Sequence, residues 1–117
     1  MKTMEKIKPL LSSLREKKRY VAFEIVSEKQ LSFKQASELI LESCLNFLGI
    51  KGLADMGLII LKEKYKANKG VIRVCAGFLD KLRASFCLAK NIGSEPVVLR
   101  SLGVSGVLKK MDRFLAS

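Results

Sequence analysis

The sequence predicts an α+β domain built as a two-layer sandwich. Strand-like and helix-like segments follow one another as β-α-β-β-α-β, with one further helix at the end. The length of 117 residues is that of one domain, and an apolar fraction of 49% excludes a disordered chain. This order is typical of the ferredoxin-like (RRM-like) sandwich. We therefore expect an antiparallel four-stranded sheet with two helices on one face. The extra C-terminal helix is expected at an end or across the other face.

The first strand and first helix have the clearest signals. Apolar residues alternate over 20–27, which predicts a strand with one buried face. Ser32 precedes a stretch of helical periodicity, and Gln35 follows three residues later, as in a capping box. The periodic stretch predicts a helix that ends at Gly49.

The middle of the chain predicts a β-hairpin. Residues 56–65 and 71–76 are rich in apolar and β-branched side chains, so both are predicted strands. The segment 66–70 contains Asn68 and Gly70, residue types that tolerate positive φ. We expect it to form the loop of the hairpin.

The last third predicts a helix, a strand and a final helix. Residues 78–90 have helical periodicity, and Pro96 leads into a fourth strand at 97–102. Ser105 is positioned to cap a last helix over 106–116.

The chain divides into a basic arm and a folded domain. Residues 1–19 carry seven basic and two acidic side chains, and we expect an arm that is extended or loosely held and that a partner can order. Residues 20–117 form the predicted domain.

The charge of the whole chain indicates a polyanionic partner. It carries 22 Lys and Arg against 11 Asp and Glu, a formal charge of +11, which favours nucleic acid over a merely solvated surface. The absence of histidine excludes a histidine base and His metal ligands. The three cysteines show no metal-binding spacing, and no apolar run is long enough to span a membrane. We therefore expect a reduced, cytoplasmic protein that binds no membrane.

Three basic groups come from segments that this fold can bring to one surface. The third strand lacks the aromatic residues with which RRM domains stack bases, so we expect recognition of the backbone and shape of a folded RNA. The turn at Ser105 and Gly106 either contacts phosphate or only caps a helix. The predicted RNA-binding residues are Lys17, Lys18, Arg19, Tyr20, Lys64, Lys66, Lys69, Arg73, Ser105, Gly106, Lys109, Lys110 and Arg113.

The first helix carries more apolar surface than one buried stripe needs. Leu41, Leu45 and Leu48 widen the stripe, and Ile50 follows the glycine at its end. We predict that these four residues contact a protein partner. The acidic residues are scattered without catalytic spacing, so no catalysis is expected from this chain alone.

Three segments resemble the Pop-five family, which includes archaeal ribonuclease P protein component two. They are REKKRYVAFEI at 15–25, KGVIRV at 69–74 and LGVSGVLKK at 102–110. Together they extend over nearly the whole chain. Val107 departs from the family pattern, which often has Thr there.

The resemblance implies a protein subunit of ribonuclease P, the ribonucleoprotein endonuclease that removes the 5′ leader of precursor tRNA. It implies that the ribonuclease P RNA holds the catalytic Mg²⁺ and performs the hydrolysis, while this chain binds no cofactor. It also implies an Rpp-thirty-type protein partner in a heterotetramer around a homodimer, other ribonuclease P proteins, and indirect contact with precursor tRNA.

Other functions remain open on the same fold. The first alternative is another basic ferredoxin-like RNA-binding protein, such as a ribosome-associated factor. An acylphosphatase-type enzyme would need an Arg and Asn phosphate site in the first loop, which 27–31 lacks. A regulatory ligand-binding domain fits poorly with a charge of +11.

Overall fold

A four-stranded antiparallel sheet forms the centre of the molecule. The computed structural model describes residues 17–116, so residues 1–16 of the predicted arm lie outside the described part. The strands lie in the order β2-β3-β1-β6. Their bounds are β1 (Lys18–Val26), β2 (Ile59–Lys66), β3 (Lys69–Cys75) and β6 (Val98–Ser105). This order and the antiparallel pairing confirm the predicted ferredoxin-like fold.

The two longer helices pack on one face of the sheet. They are α1 (Phe33–Asp55) and α2 (Leu79–Ser85), the latter flanked by 3₁₀ turns at Ala76–Phe78 and Phe86–Leu88. Val21, Phe23 and Ile25 of β1 are buried beneath them, as the alternation predicts. The capping box at Ser32 is also confirmed, because its hydroxyl accepts a hydrogen bond from the backbone N–H of Gln35.

The C-terminal segment lies across the other face of the sheet. It consists of a 3₁₀ turn at Leu108–Met111 followed by α3 (Asp112–Leu115). Met111 is buried against Ala22 of β1 and Val71 of β3, and Phe114 packs beside them. We call this the C-terminal face of the sheet. No described helix is long and apolar enough to cross a membrane.

The β2–β3 hairpin has a two-residue turn instead of the predicted five-residue loop. Ala67 and Asn68 both have positive φ, 53° and 64°, as a type I′ turn requires. Asn68 is buried, and its side chain accepts a hydrogen bond from Leu31 N–H at 2.7 Å and donates one to the Lys29 carbonyl at 3.0 Å. The hairpin is thereby joined to the loop between β1 and α1.

The first helix does not end at Gly49. Gly49 has φ 75° and ψ 179°, which interrupts the helix, and the chain then resumes helical turns to Asp55. Met56, predicted as the start of the second strand, is buried and accepts a hydrogen bond from Cys75 N–H at 2.9 Å. Strand β2 therefore starts only at Ile59.

The predicted helix over 78–90 is shorter because tertiary hydrogen bonds replace its last turn. Ala89 is extended, and the Lys90 carbonyl accepts from Val97 N–H at 2.8 Å. This bond closes a small hairpin of β4 (Asn91–Ile92) and β5 (Glu95–Pro96). Pro96 thus belongs to β5 and not to the fourth strand of the main sheet.

The predicted cap of the last helix is wrong. Ser105 remains in β6, paired with Tyr20, and its hydroxyl accepts from Val107 N–H at 3.0 Å. Helical turns begin only at Leu108, where the cap position makes no side-chain hydrogen bond. Strand pairing, which the sequence pattern does not show, keeps Ser105 extended.

Candidate nucleic-acid interface

Three rows of side chains cross the C-terminal face. Since cross-strand partners in antiparallel strands point to the same side, the register places each row directly. The proximal row is Ile59, Arg73, Tyr20 and Ser105; the central row is Leu61, Val71, Ala22 and Gly103; the distal row is Lys69, Glu24 and Arg100.

The central row is covered by the C-terminal segment. Leu108, Met111 and Phe114 pack on it. A Cβ added at Gly103 would overlap the Phe114 ring, so the glycine permits this close approach. The middle of this face, where RRM domains stack bases, is therefore filled by the protein itself.

The two cations of the distal row share one carboxylate within the fold. Glu24 accepts a hydrogen bond from Arg100 Nε at 2.8 Å, and its other oxygen lies 4.0 Å from Lys69 Nζ. Lys64 of the same hairpin lies 3.0 Å from Asp112 Oδ1 of α3. Two of the three hairpin lysines predicted to bind RNA are thus ion-paired, and Lys66 is exposed.

The proximal row brings several predicted RNA-binding residues together. Arg73 lies opposite Tyr20, which lies opposite Ser105. Arg73 Nε is buried and makes no hydrogen bond to any described residue. Lys18 comes from the next register position, with Nζ 3.2 Å from Cys75 Sγ.

Two further predicted cations, Arg19 and Lys17, lie at or just before the start of β1, at this end of the sheet. Arg19 donates to the Lys18 carbonyl at 2.9 Å, and a Cβ added at Gly106 would lie 3.6 Å from its Nη1. The Lys17 carbonyl accepts from Ala76 N–H at 2.8 Å, which fixes the start of β1.

The C-terminal segment contributes three further cations. Lys109 and Lys110 are exposed in its 3₁₀ turn. The Arg113 guanidinium lies 4.9 Å from the centre of the Phe114 ring, in a cation–π contact. The structure therefore gathers the start of β1, Arg73 and the end of β6, whereas the hairpin lysines lie at the opposite, distal end.

Only one of the two tyrosines is on the C-terminal face. Tyr65 packs between Phe23 and Phe33, with ring centroids 6.4 and 5.9 Å away, and its hydroxyl donates to the Leu31 carbonyl at 2.8 Å. Burial raises the pKa of Tyr65. Its ring is part of the core, whereas Tyr20 lies on the C-terminal face, partly buried beside Met111.

An apolar surface lies on α1, away from the basic rows. Leu41 and Leu45 are each 40% exposed and Ile50 is 81% exposed, while Leu48 packs against the core. Phe47 is 47% exposed and precedes the interruption at Gly49 by two residues. The helical periodicity of the sequence would place it with Ala36, Ile40 and Cys44 on the inner face, but the structure does not.

A polar groove separates α1 from the β4–β5 hairpin. It has a volume of about 350 Å³, and Glu42, Ser43, Asn46 and Asn91 are among its lining residues. Among residues 17–116, no group of three or more Cys, Asp or Glu side chains is arranged to hold a metal ion.

Comparison with known proteins identifies the family. The sequence profile of the Rpp14/Pop5 family matches residues 19–116. The chain belongs to this family. It is 35% identical over 114 residues to ribonuclease P protein component 2 of Pyrococcus horikoshii, covering 97% of this chain and 95% of that protein. The protein of the same name from Methanococcus vannielii is 36% identical, covering 93% and 83%.

A solved structure shares the fold of this family member. A chain in the cryo-EM structure of yeast ribonuclease MRP superposes with a TM-score of 0.67 at 16% identity. The superposition covers 80% of this chain and 76% of that chain. At this identity the comparison shows a common fold, and the sequence relatives carry the family assignment.

Proposed function

We propose that the chain is a protein subunit of ribonuclease P, which removes the 5′ leader of precursor tRNA. The observation that carries this proposal is the similarity, at 35% identity over 97% of the chain, to a protein named ribonuclease P protein component 2. The formal charge of +11 supports a role on RNA.

In this proposal the protein stabilises the folded RNA subunit, and the RNA holds the Mg²⁺ and performs the hydrolysis. Each Lys or Arg placed against a phosphate releases counterions and lowers the repulsion between RNA segments. The RNA can then keep its catalytic arrangement at lower Mg²⁺. The cations around the proximal row are the group best positioned for this role, because those of the distal row already have carboxylate partners.

The apolar surface of α1 is the proposed contact with a second protein. Leu41 and Leu45 lie one turn apart on α1 and are each 40% exposed, and Ile50, beyond the interruption at Gly49, is 81% exposed. Exposed apolar side chains of this kind favour burial against a partner. We propose that an Rpp-thirty-type subunit binds this surface. The complex is then a heterotetramer, with two copies of this chain at its centre and one partner subunit on each.

Reconstituted cleavage of precursor tRNA tests the subunit assignment. Ribonuclease P RNA and the other protein subunits are assayed at limiting Mg²⁺ with and without this chain. We expect the chain to raise the cleavage rate at least tenfold and to leave the cleavage position unchanged. An unchanged rate, or cleavage by the chain in the absence of the RNA subunit, would contradict the assignment.

The ribosome-associated alternative is tested by sequencing RNA that co-purifies with the tagged chain. Ribonuclease P RNA is the expected major species. Enrichment of ribosomal RNA alone would favour the alternative.

A pair of variants tests the protein interface. Leu41→Asp with Leu45→Asp should abolish co-purification of the protein partner and leave RNA binding within twofold, because these residues lie on the face away from the basic rows. Val98→Asp is the control, since Val98 is 59% exposed on β6 rather than α1. If the Leu41 and Leu45 variant and the Val98→Asp control lose the partner equally, the assignment of the protein interface to α1 is wrong.

A further inference from the structure

We propose that Arg73 binds a phosphate group of RNA on the proximal row, and that the ion-paired Lys69 of the distal row contributes no RNA contact. This inference rests on the proposed function and assigns its RNA contact to one part of the sheet. Three observations carry it.

The first observation is the state of the Arg73 side chain. Its Nε is buried and has no acceptor among the described residues. Arginine is always charged in proteins, and a buried donor without an acceptor costs free energy. Arg73 as a whole is only partly buried, so a phosphate can reach the accessible part of its side chain. If the guanidinium turns outward on binding, Nε gains the acceptor that it lacks, and the planar group fits phosphate with two parallel hydrogen bonds.

The second observation is that two of the other three residues in the row, Tyr20 and Ser105, are also donors. The Tyr20 hydroxyl makes no hydrogen bond to a described residue, and Tyr20 is directly opposite Arg73. The Ser105 hydroxyl accepts from Val107 N–H, which leaves its own proton to donate. Opposite residues of an antiparallel pair have Cβ atoms about 4.5–5.5 Å apart, so Tyr20 is adjacent both to Arg73 and to Ser105 and can share an anion with the long Arg73 side chain.

The third observation is the contrast with the distal row. There the fold itself supplies a carboxylate, Glu24, between Lys69 and Arg100. The proximal row crosses the same strands and has Arg73 on β3, where the distal row has Lys69, but it has no carboxylate among its members. The acceptor for Arg73 therefore comes from outside the row, and the partner indicated by the charge of the chain is RNA.

Two charge-removing variants of the full chain test whether RNA contacts Arg73 of the proximal row and not Lys69 of the distal row. Binding to ribonuclease P RNA is measured between 50 and 300 mM salt for Arg73→Gln and Lys69→Gln. We expect Arg73→Gln to lose about tenfold in affinity and to lower the slope of log K against log salt by about 1. Lys69→Gln should change neither. Equal effects of the two variants, or no effect of Arg73→Gln, overturn the proposal.

A conservative variant and a direct probe keep the test valid if Arg73→Gln fails to fold. Arg73→Lys keeps the charge but lacks Nε, so it should keep the salt slope and still lose affinity. In the wild-type chain, the ¹⁵N-resolved Nε–Hε signal of Arg73 should shift with inorganic phosphate and with a short RNA.

The outcomes separate this site from the subunit assignment. A signal that stays fixed at saturating ribonuclease P RNA overturns the site and leaves the assignment intact. If the Arg73 signal shifts only when the protein partner is added, the RNA site is overturned, and the acceptor for Arg73 is instead a carboxylate of that partner. A wild-type chain that binds no RNA at low salt overturns both.

Discussion

At the scale of single residues, Asn68 does more than form the turn of the β2–β3 hairpin. Its side chain also joins that hairpin to the loop between β1 and α1. The sequence suggests the positive φ of Asn68, because asparagine tolerates that backbone conformation. The sequence does not suggest the side-chain hydrogen bonds of Asn68 to Leu31 and Lys29, because they join positions 37 and 39 residues apart. Local patterns predict backbone preference but not which distant groups will need a partner.

Replacing Asn68 with Ala should lower the free energy of unfolding by about 2–4 kcal/mol, since buried hydrogen bonds and a favourable left-handed residue are both lost. Urea denaturation measures the change. Asn68→Gly is the matched control: it tolerates the backbone conformation and loses only the side-chain bonds, so it should cost less. An Ala variant as stable as wild type would show that these bonds contribute nothing.

Tyr65 should make stability fall in alkaline solution. Burial raises the pKa of Tyr65, so its contribution is fully present below the ordinary tyrosine pKa of about 10. As the pH rises further, the unfolded chain loses this proton first, and the free energy of unfolding decreases. Tyr65→Phe has no such proton, so its stability should decline less between pH 9.5 and 11. Parallel curves for the two proteins would contradict this prediction.

At the scale of elements, periodicity predicted which segments are helices and strands but not where they end. The helix ends predicted at Gly49 and Lys90 are both wrong, and for Lys90 the reason is a tertiary hydrogen bond. Gly49 only interrupts α1, and the Lys90 carbonyl accepts from Val97 N–H instead of continuing the helix. The bonds that decide such ends come from segments that a local pattern does not include.

The packing of α3 on the sheet should depend on Gly103. A side chain there would overlap Phe114, so Gly103→Val should displace the C-terminal segment and cost about 1–3 kcal/mol of stability. Amide hydrogen exchange should show the loss first in α3 and the 3₁₀ turn before it. Gly77→Ala is the control, because a Cβ at Gly77 meets no atom within 4 Å. Unchanged protection of α3 in Gly103→Val would refute the packing argument.

At the scale of the whole molecule, the sequence revealed how much positive charge the chain has but not where it is neutralised. The fold class and the family resemblance were both confirmed. The grouping of Arg73 with Tyr20 and Ser105 follows from strand register, which a single sequence leaves undetermined. The pairing of Glu24 with two cations likewise requires the register.

Removing the carboxylate of Glu24 should therefore create new RNA contacts. Glu24→Gln removes the carboxylate that Lys69 and Arg100 share, so affinity for RNA at low salt should rise and the salt slope should steepen by about 1–2. Filter binding over a salt series measures both. Glu38→Gln, on α1, is a control for net charge alone. An equal gain in both variants would show that the overall charge, and not release of this pair, is responsible.

The position of the C-terminal segment also affects the partly folded chain. All four strands of the main sheet precede α3 in the chain, so the sheet can pair before this segment docks on the central row. Until it docks, Ala22, Val71 and their neighbours are open to solvent on one side of the sheet. A chain whose last turns come loose therefore presents an apolar face to other copies, and it is in this form that the protein is most prone to aggregate.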